Sequence, residues 1–137
     1  MIKIPRSLVN SLMAKARESS PMEMCGLAIG HICRGEKIVD ELIYLDNADP
    51  MPTVAYTVDA SQLIETLTSV DKSGKTIIGI FHSHPRGPNY PSAIDSERVA
   101  WLDHSHLIIV PGTELGLSSW QWDDHSKKFS MEKVKIV

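Results

Sequence analysis

With 137 residues, 42% of them hydrophobic, the chain has the length of one ordinary domain and can bury a core without disulfides or a structural metal, so residues 1–137 read as a single unit. Fourteen basic residues against seventeen acidic, a net charge of -3 and no Lys/Arg run exclude nucleic acid and anionic membranes as expected partners. No apolar run approaches the roughly 20 residues that span a bilayer, and no basic segment leads into an apolar one at the N-terminus, so a cytoplasmic protein is expected.

After Pro5, the apolar residues Leu8, Val9, Leu12, Met13 and Ala16 follow helical spacing, and Pro21 closes that segment. Residues 24–33 and 37–46, rich in Ile, Val, Leu and Tyr, predict two strands joined by a turn at Arg34, Gly35 and Glu36. Asn47 to Pro52 is a loop, Ala55 to Val58 a short extended piece, and Asp59 the N-cap of a second helix. Leu63, Ile64, Leu67 and Val70 give that helix its core stripe, and Ser73-Gly74 ends it. The strand from Lys75 to Ser83 carries the run Ile77, Ile78, Gly79, Ile80, Phe81, too continuous for an exposed edge, so it belongs in the middle of the sheet. A third helix over about Ser92 to Leu102 and strands near 106–110, 115–122 and 128–136 complete the chain, with Pro111-Gly112 and residues 123–125 as breaks. This order predicts an α/β fold: a three-layer-like sandwich of a mixed, mostly antiparallel sheet flanked by helices.

Cys25 and Cys33 lie eight residues apart in one predicted strand, too far to bridge without folding it back, so reduced thiols are expected. Cys33 reads as a small buried residue.

The chemistry is concentrated at the end of the central strand. His82 and His84, one residue apart on a strand, point to the same face and can converge on one ion while Ser83 turns away. Seven residues separate His84 from Ser92, and three positions after Ser92 comes Asp95, so a loop can return a carboxylate to the histidines. Two His and one Asp make the three-ligand set of a catalytic zinc that keeps its fourth position for water. Ser92-x-x-Asp95 also fits a capping box at a helix start. With Val99 and Leu102 four and seven residues on, Asp95 would point inward, where an unpaired carboxylate is costly and a metal would satisfy it. Pro85, Gly87, Pro88 and Pro91 stiffen the connecting loop. His104-Ser105-His106 repeats the tripeptide, but no Ser and Asp follow it at comparable spacing, so no metal is assigned there. Glu23, at the start of the first predicted strand, reads by position alone as a solvated carboxylate.

The combined pattern, Pro21-Met-Glu23-Met-Cys25-Gly-Leu27 followed by His82-Ser-His84, Ser92 and Asp95, resembles the JAMM (MPN+) zinc metalloprotease family in its compact prokaryotic branch, a likeness that extends to Tyr56-Thr-Val-Asp59 and Leu107-Ile-Ile-Val110. The resemblance implies an MPN/cytidine-deaminase-like sheet, one catalytic zinc held by His82, His84 and Asp95, Glu23 as general base and Ser92 as oxyanion donor. It also implies a substrate: the peptide or isopeptide bond after the C-terminal tail of a ubiquitin-like modifier or sulfur-carrier protein. Cys25 matches a family cysteine position and is assigned to packing ahead of any redox or metal role. A nucleoside deaminase would need His-x-Glu and Pro-Cys-x-x-Cys, neither of which occurs. A ligand-depleted scaffold of the same fold and a thiol enzyme built on Cys25 are the remaining alternatives. Choice of carrier and assembly, a homodimer included, would be set by surface residues that one sequence does not pair.

Overall fold

A computed structural model describes residues 1–113 and 116–137. The elements run β1 (Ile2–Ile4), α1 (Arg6–Ser19), β2 (Cys25–Cys33), β3 (Glu36–Leu45), α2 (Ala60–Ser73), β4 (Thr76–Ser83), α3 (Ala93–Glu97), β5 (Ser105–Ile109), β6 (Leu117–Asp123), β7 (Lys128–Glu132) and β8 (Val134–Ile136). They form one sheet in the order β7-β6-β5-β4-β2-β3-β1-β8. The β2–β3, β2–β4, β5–β6 and β6–β7 pairs are antiparallel, and β4–β5, β1–β3 and β1–β8 are parallel. The predicted mixed, mostly antiparallel sheet is thus present, with β4 in its interior. β7 and β8 occupy opposite edges yet are separated in the chain only by Lys133, whose carbonyl accepts the Ile2 N–H (2.9 Å). The sheet must therefore curl until its edges meet.

The two long helices, α1 and α2, cover the two faces. Val9, Leu12 and Ala16 of α1 pack on Ile2, Ile4, Ala28, Phe81, Leu107 and Ile109. Complete burial of a side chain such as Leu12 is worth about 2 kcal/mol. Val70 and Leu63 of α2 pack on Cys25, Leu27, Ile29 and Ile80 across the sheet. Gly26 is required where Phe81 crosses it, because a Cβ there would collide with the ring and with the Ile43 carbonyl. The β2–β3 turn places Arg34 (φ 51°) and Gly35 (φ 79°) in the left-handed region, a backbone that matches the twist of a hairpin. Asp59 caps α2 through the Gln62 N–H (2.9 Å), and Gly74 (φ 73°) ends it.

Several expectations are corrected. The third helix stops at Glu97 instead of reaching Leu102, which is exposed. Arg98 turns back to pair with the buried Asp49 (2.7 Å), and Trp101 adopts φ 60°, incompatible with a continuing helix. In α2, Thr66 and not Ile64 takes the inward position; Ile64 is 64% exposed. Ala55 to Val58 makes only an isolated bridge, Asn47 with Val58. The predicted strand 128–136 breaks at Lys133 into β7 and β8, while the first residue of the predicted 115–122 strand, Leu115, lies outside the described residues. β1 was not anticipated. Cys33 is exposed at the end of β2 and not buried.

Candidate metal centre

β4 delivers His82 at its C-terminal end, on the face that α2 covers, next to Cys25, which is the register partner of His82 on β2, and His84 follows one residue past the strand with its N–H on Ile109 O (2.9 Å). Alternation turns Ser83 the other way, as expected, but the hydroxyl is not idle: Ser83 Oγ accepts the Met24 N–H (2.8 Å) and the Ser83 N–H donates to Met24 O (2.9 Å). Both imidazoles are nearly inaccessible, with Nε2 atoms 3.0 Å apart. Asp95 Oδ2 lies 3.3 Å from His82 Nε2 and 3.1 Å from His84 Nε2. Ligand atoms around a tetrahedral ion with bonds of about 2.0–2.1 Å are separated by about 3.3 Å, so this triangle of donors already has the size of one face of a zinc polyhedron. His84 Nδ1 donates to Pro88 O (2.7 Å), so loss of the Nε2 proton would present that nitrogen's lone pair to a cation. Tyr56 stacks on the His82 ring at 4.4 Å and 21°, orienting it by contact and not by a hydrogen bond.

Asp95 satisfies both of its sequence readings. A capping box is present: Ser92 Oγ accepts the Asp95 N–H (3.1 Å), and Asp95 Oδ2 accepts the Ser92 N–H (2.8 Å). The same carboxylate oxygen faces both histidines. Burial works to raise its pKa, but the hydrogen bonds from His82 and His84 outweigh burial and hold the carboxyl far below the usual carboxylate range. Burial lowers the pKa of His82 despite Asp95. For His84 the burial effect is overcome by the Asp95 and Pro88 hydrogen bonds and the fields of Asp95 and Glu23, and its pKa rises.

Glu23 is not a solvated surface group. It is 6% exposed, it offers a carboxylate oxygen within 4.8 Å of ligand atoms on His82 and His84, and its Oε1 is buried with no hydrogen-bond partner among the described residues. Burial pushes its carboxyl up to about 7, against the attraction of His84 and with help from Asp95 and Asp49. An orphaned carboxylate oxygen beside two imidazoles and a second carboxylate is the environment that a divalent cation and its water would satisfy, so these residues fit a zinc site.

Two cavities meet at this constellation. An open groove of about 660 Å³ runs past Pro21, Glu23, Val54, His84, Pro88 and Ser92. A smaller one of about 220 Å³, with Tyr56, Ile80, Trp101 and Phe129 in its wall, is also lined by His82 and Asp95. The groove has the size and openness for an extended chain. Cys25 contributes no reactive group: its thiol is buried, donates to Leu45 O (3.4 Å), and is pushed by burial up to about 12.

The structure thus gathers Glu23, His82, His84 and Asp95 and places Ser92 on the groove beside them. Sequence reasoning missed Asn47, Asp49 and Arg98 and gave Ser83 no role; Tyr56 was noted without a contact to assign it. These residues act through contacts between distant segments, and the one local signal was the polar, proline-containing character of the 47–52 loop.

Residues 5–123 match the family model for prokaryotic homologs of the JAB domain. The chain is 29% identical over 119 residues to the desampylase of Haloferax volcanii, covering 84% of each. It is 28% identical over 110 residues to the CysO-cysteine peptidase of Mycobacterium tuberculosis, covering 80% of this chain and 73% of that one. A protein from Desulfitobacterium hafniense, known from a solution structure and 26% identical, superposes with a TM-score of 0.86 over 100% of this chain and 93% of its own.

Proposed function

The chain belongs to the family of prokaryotic homologs of the JAB domain, and on that premise we propose that it is a zinc-dependent hydrolase that cleaves the peptide or isopeptide bond after the C-terminal tail of a ubiquitin-like modifier or sulfur-carrier protein. The observation that carries the reading is the triangle of His82, His84 and Asp95, 3.0 to 3.3 Å on each side, with Glu23 beside it, whose Oε1 has no hydrogen-bond partner among the described residues. The names of the relatives, a desampylase and a CysO-cysteine peptidase, supply the substrate class.

His82, His84 and Asp95 would hold the zinc. When bound, zinc polarises the scissile carbonyl and lowers the pKa of water to about 7. Glu23 takes the proton: its carboxyl, raised by burial to about 7, is matched to neutral pH, and the same group can return the proton to the leaving amine. Ser92 Oγ accepts from Asp95 N, so its own O–H remains free to donate to the tetrahedral oxyanion, an interaction worth about 3 kcal/mol of barrier. The groove along Pro21, Val54 and Pro88 would receive the extended tail, its prolines limiting the order lost on binding.

Intact mass spectrometry of a C-terminally linked ubiquitin-like carrier tests the reading, with zinc-loaded wild type and Glu23→Gln. Wild type should release the carrier at its mature tail, and Glu23→Gln should keep zinc but lose at least about 100-fold in rate. Equal turnover by the variant, or cleavage confined to unrelated peptides, would contradict it.

A further inference from the structure

Glu23 belongs to no helix or strand; it lies two residues before β2, and its position depends on how the main chain is held there. Four hydrogen bonds hold Glu23 and Met24. Two join Met24 to Ser83, one donated by each residue's N–H, as described. The other two come from the loop after β3: Glu23 N–H donates to Pro52 O (2.8 Å), and Asn47 Nδ2 donates to Glu23 O (2.9 Å). Asn47 is the hub of that loop. Its second amide proton goes to Ala55 O (3.0 Å), and its Oδ1 accepts the Asp49 and Thr57 N–H groups (3.0 Å each). Two donors and two acceptor positions are all used, a pattern that only an amide of this length can supply at that point. An aspartate would set a carboxylate against two carbonyl oxygens.

We propose that Asn47 is a positioning residue for Glu23, clipping the 47–57 loop onto the segment that carries the base. Asn47 touches none of the metal ligands: His82 lies in β4, the His84 N–H donates to Ile109 O (2.9 Å) just past that strand, and Asp95 is held by its capping box, so the clip reaches them only through the Tyr56 stack on His82 and the Asp49–Arg98 pair. Loss of the clip therefore acts first on proton transfer, while the ligands keep these anchors of their own. The catalytic part of this inference rests on the hydrolase reading; the positional part does not.

The test compares Asn47→Ala and the isosteric Asn47→Asp with wild type in the zinc-loaded full chain, with Leu12→Ala as a core control for lost stability. Amide exchange at Glu23 should accelerate at least about 10-fold in both Asn47 variants while Leu27 to Ile29 stay protected. Zinc should remain at one equivalent, kcat should fall about 10- to 100-fold and KM should change less than about 3-fold, as displacement of a base by about 1 Å implies. Leu12→Ala should keep kcat. Unchanged exchange at Glu23, or zinc loss in step with activity, would overturn the proposal. Accelerated exchange in a protein whose wild type cleaves no carrier would leave the positioning intact and remove the hydrolase reading instead.

Discussion

The tripeptide His-Ser-His occurs twice, on the neighbouring parallel strands β4 and β5, and the two copies do different things. His82 and His84 stand at the C-terminal end of β4, where a loop can bring a carboxylate back, and their Nε2 atoms converge 3.0 Å apart on Asp95. His104 and His106 stand at the beginning of β5, its Ser105 and His106 level with Gly79 and Ile80 of β4. There His106 donates to Trp101 O (3.1 Å) and packs edge-on to Phe129, while His104 packs edge-on to Trp101. The serines differ as well. Ser83 anchors Met24, beside Glu23; Ser105 joins a buried network in which it and Ser119 donate to Glu132 Oε1 (2.7 Å each) and Lys37 Nζ reaches Glu132 Oε2 (2.8 Å), tying β3 and β5 to β7. The residue types are the same, and the position of the tripeptide along its strand decides whether the imidazoles converge on a carboxylate or pack against aromatic rings.

Asp95→Ala breaks the first copy and should have the largest effect. It removes the carboxylate that distinguishes the two tripeptides, so zinc measured by elemental analysis should fall from one equivalent to near none, and hydrolysis with it. Zinc content equal to wild type would reduce Asp95 to its capping role. Glu132→Gln attacks the second copy. It takes the counter-charge from Lys37, whose side chain is only 19% exposed, and should cost about 3 kcal/mol in urea unfolding while leaving zinc bound.

The second copy should also be visible in the pH dependence of stability. Burial pushes the folded-state pKa of His106 down to about 4 from an ordinary 6.5. Between those values the unfolded chain binds the proton and the folded one refuses it, so the contribution is complete above pH 6.5 and lost as pH falls toward 4. The loss is on the order of 3 kcal/mol, and His106→Gln should flatten that part of the profile. Glu132 acts in a lower window: its pKa is held below 4.5, burial notwithstanding, by the Lys37, Ser105 and Ser119 hydrogen bonds, so its contribution is present above 4.5 and lost on further acidification. The smallest effect is expected of His104→Ala, which should shift stability by less than about 1 kcal/mol and leave zinc stoichiometry unchanged.

What was legible in the sequence was local. The α1 stripe, the β2–β3 hairpin with its Arg34-Gly35 turn, the Asp59 cap and the apolar run of β4 each lie within a few consecutive residues, and each is present. β1, three residues long, takes its conformation from pairing with β8 and β3, so no short stretch of chain announces it; β8 was read as strand, but as one piece with β7, from which Lys133 separates it. The end of α3 was misread for a similar reason: Val99 and Leu102 continue the helical period, but the ion pair of Arg98 with Asp49 and the left-handed Trp101 end it. In the site, His82, His84, Ser92 and Asp95 fall within one strand-loop-helix unit and could be read from spacing. Glu23 sits on a distant segment and stood out only through the family pattern, and Asn47 and Tyr56 act through contacts that no spacing encodes.

Anomalous diffraction at the zinc edge from crystals of the zinc-loaded protein tests the central claim most directly. A single peak bounded by His82 Nε2, His84 Nε2 and Asp95 Oδ2, with the Glu23 carboxylate beside it, is the predicted result. A peak at His104 and His106, or none in a protein that hydrolyses its carrier, would contradict the assignment.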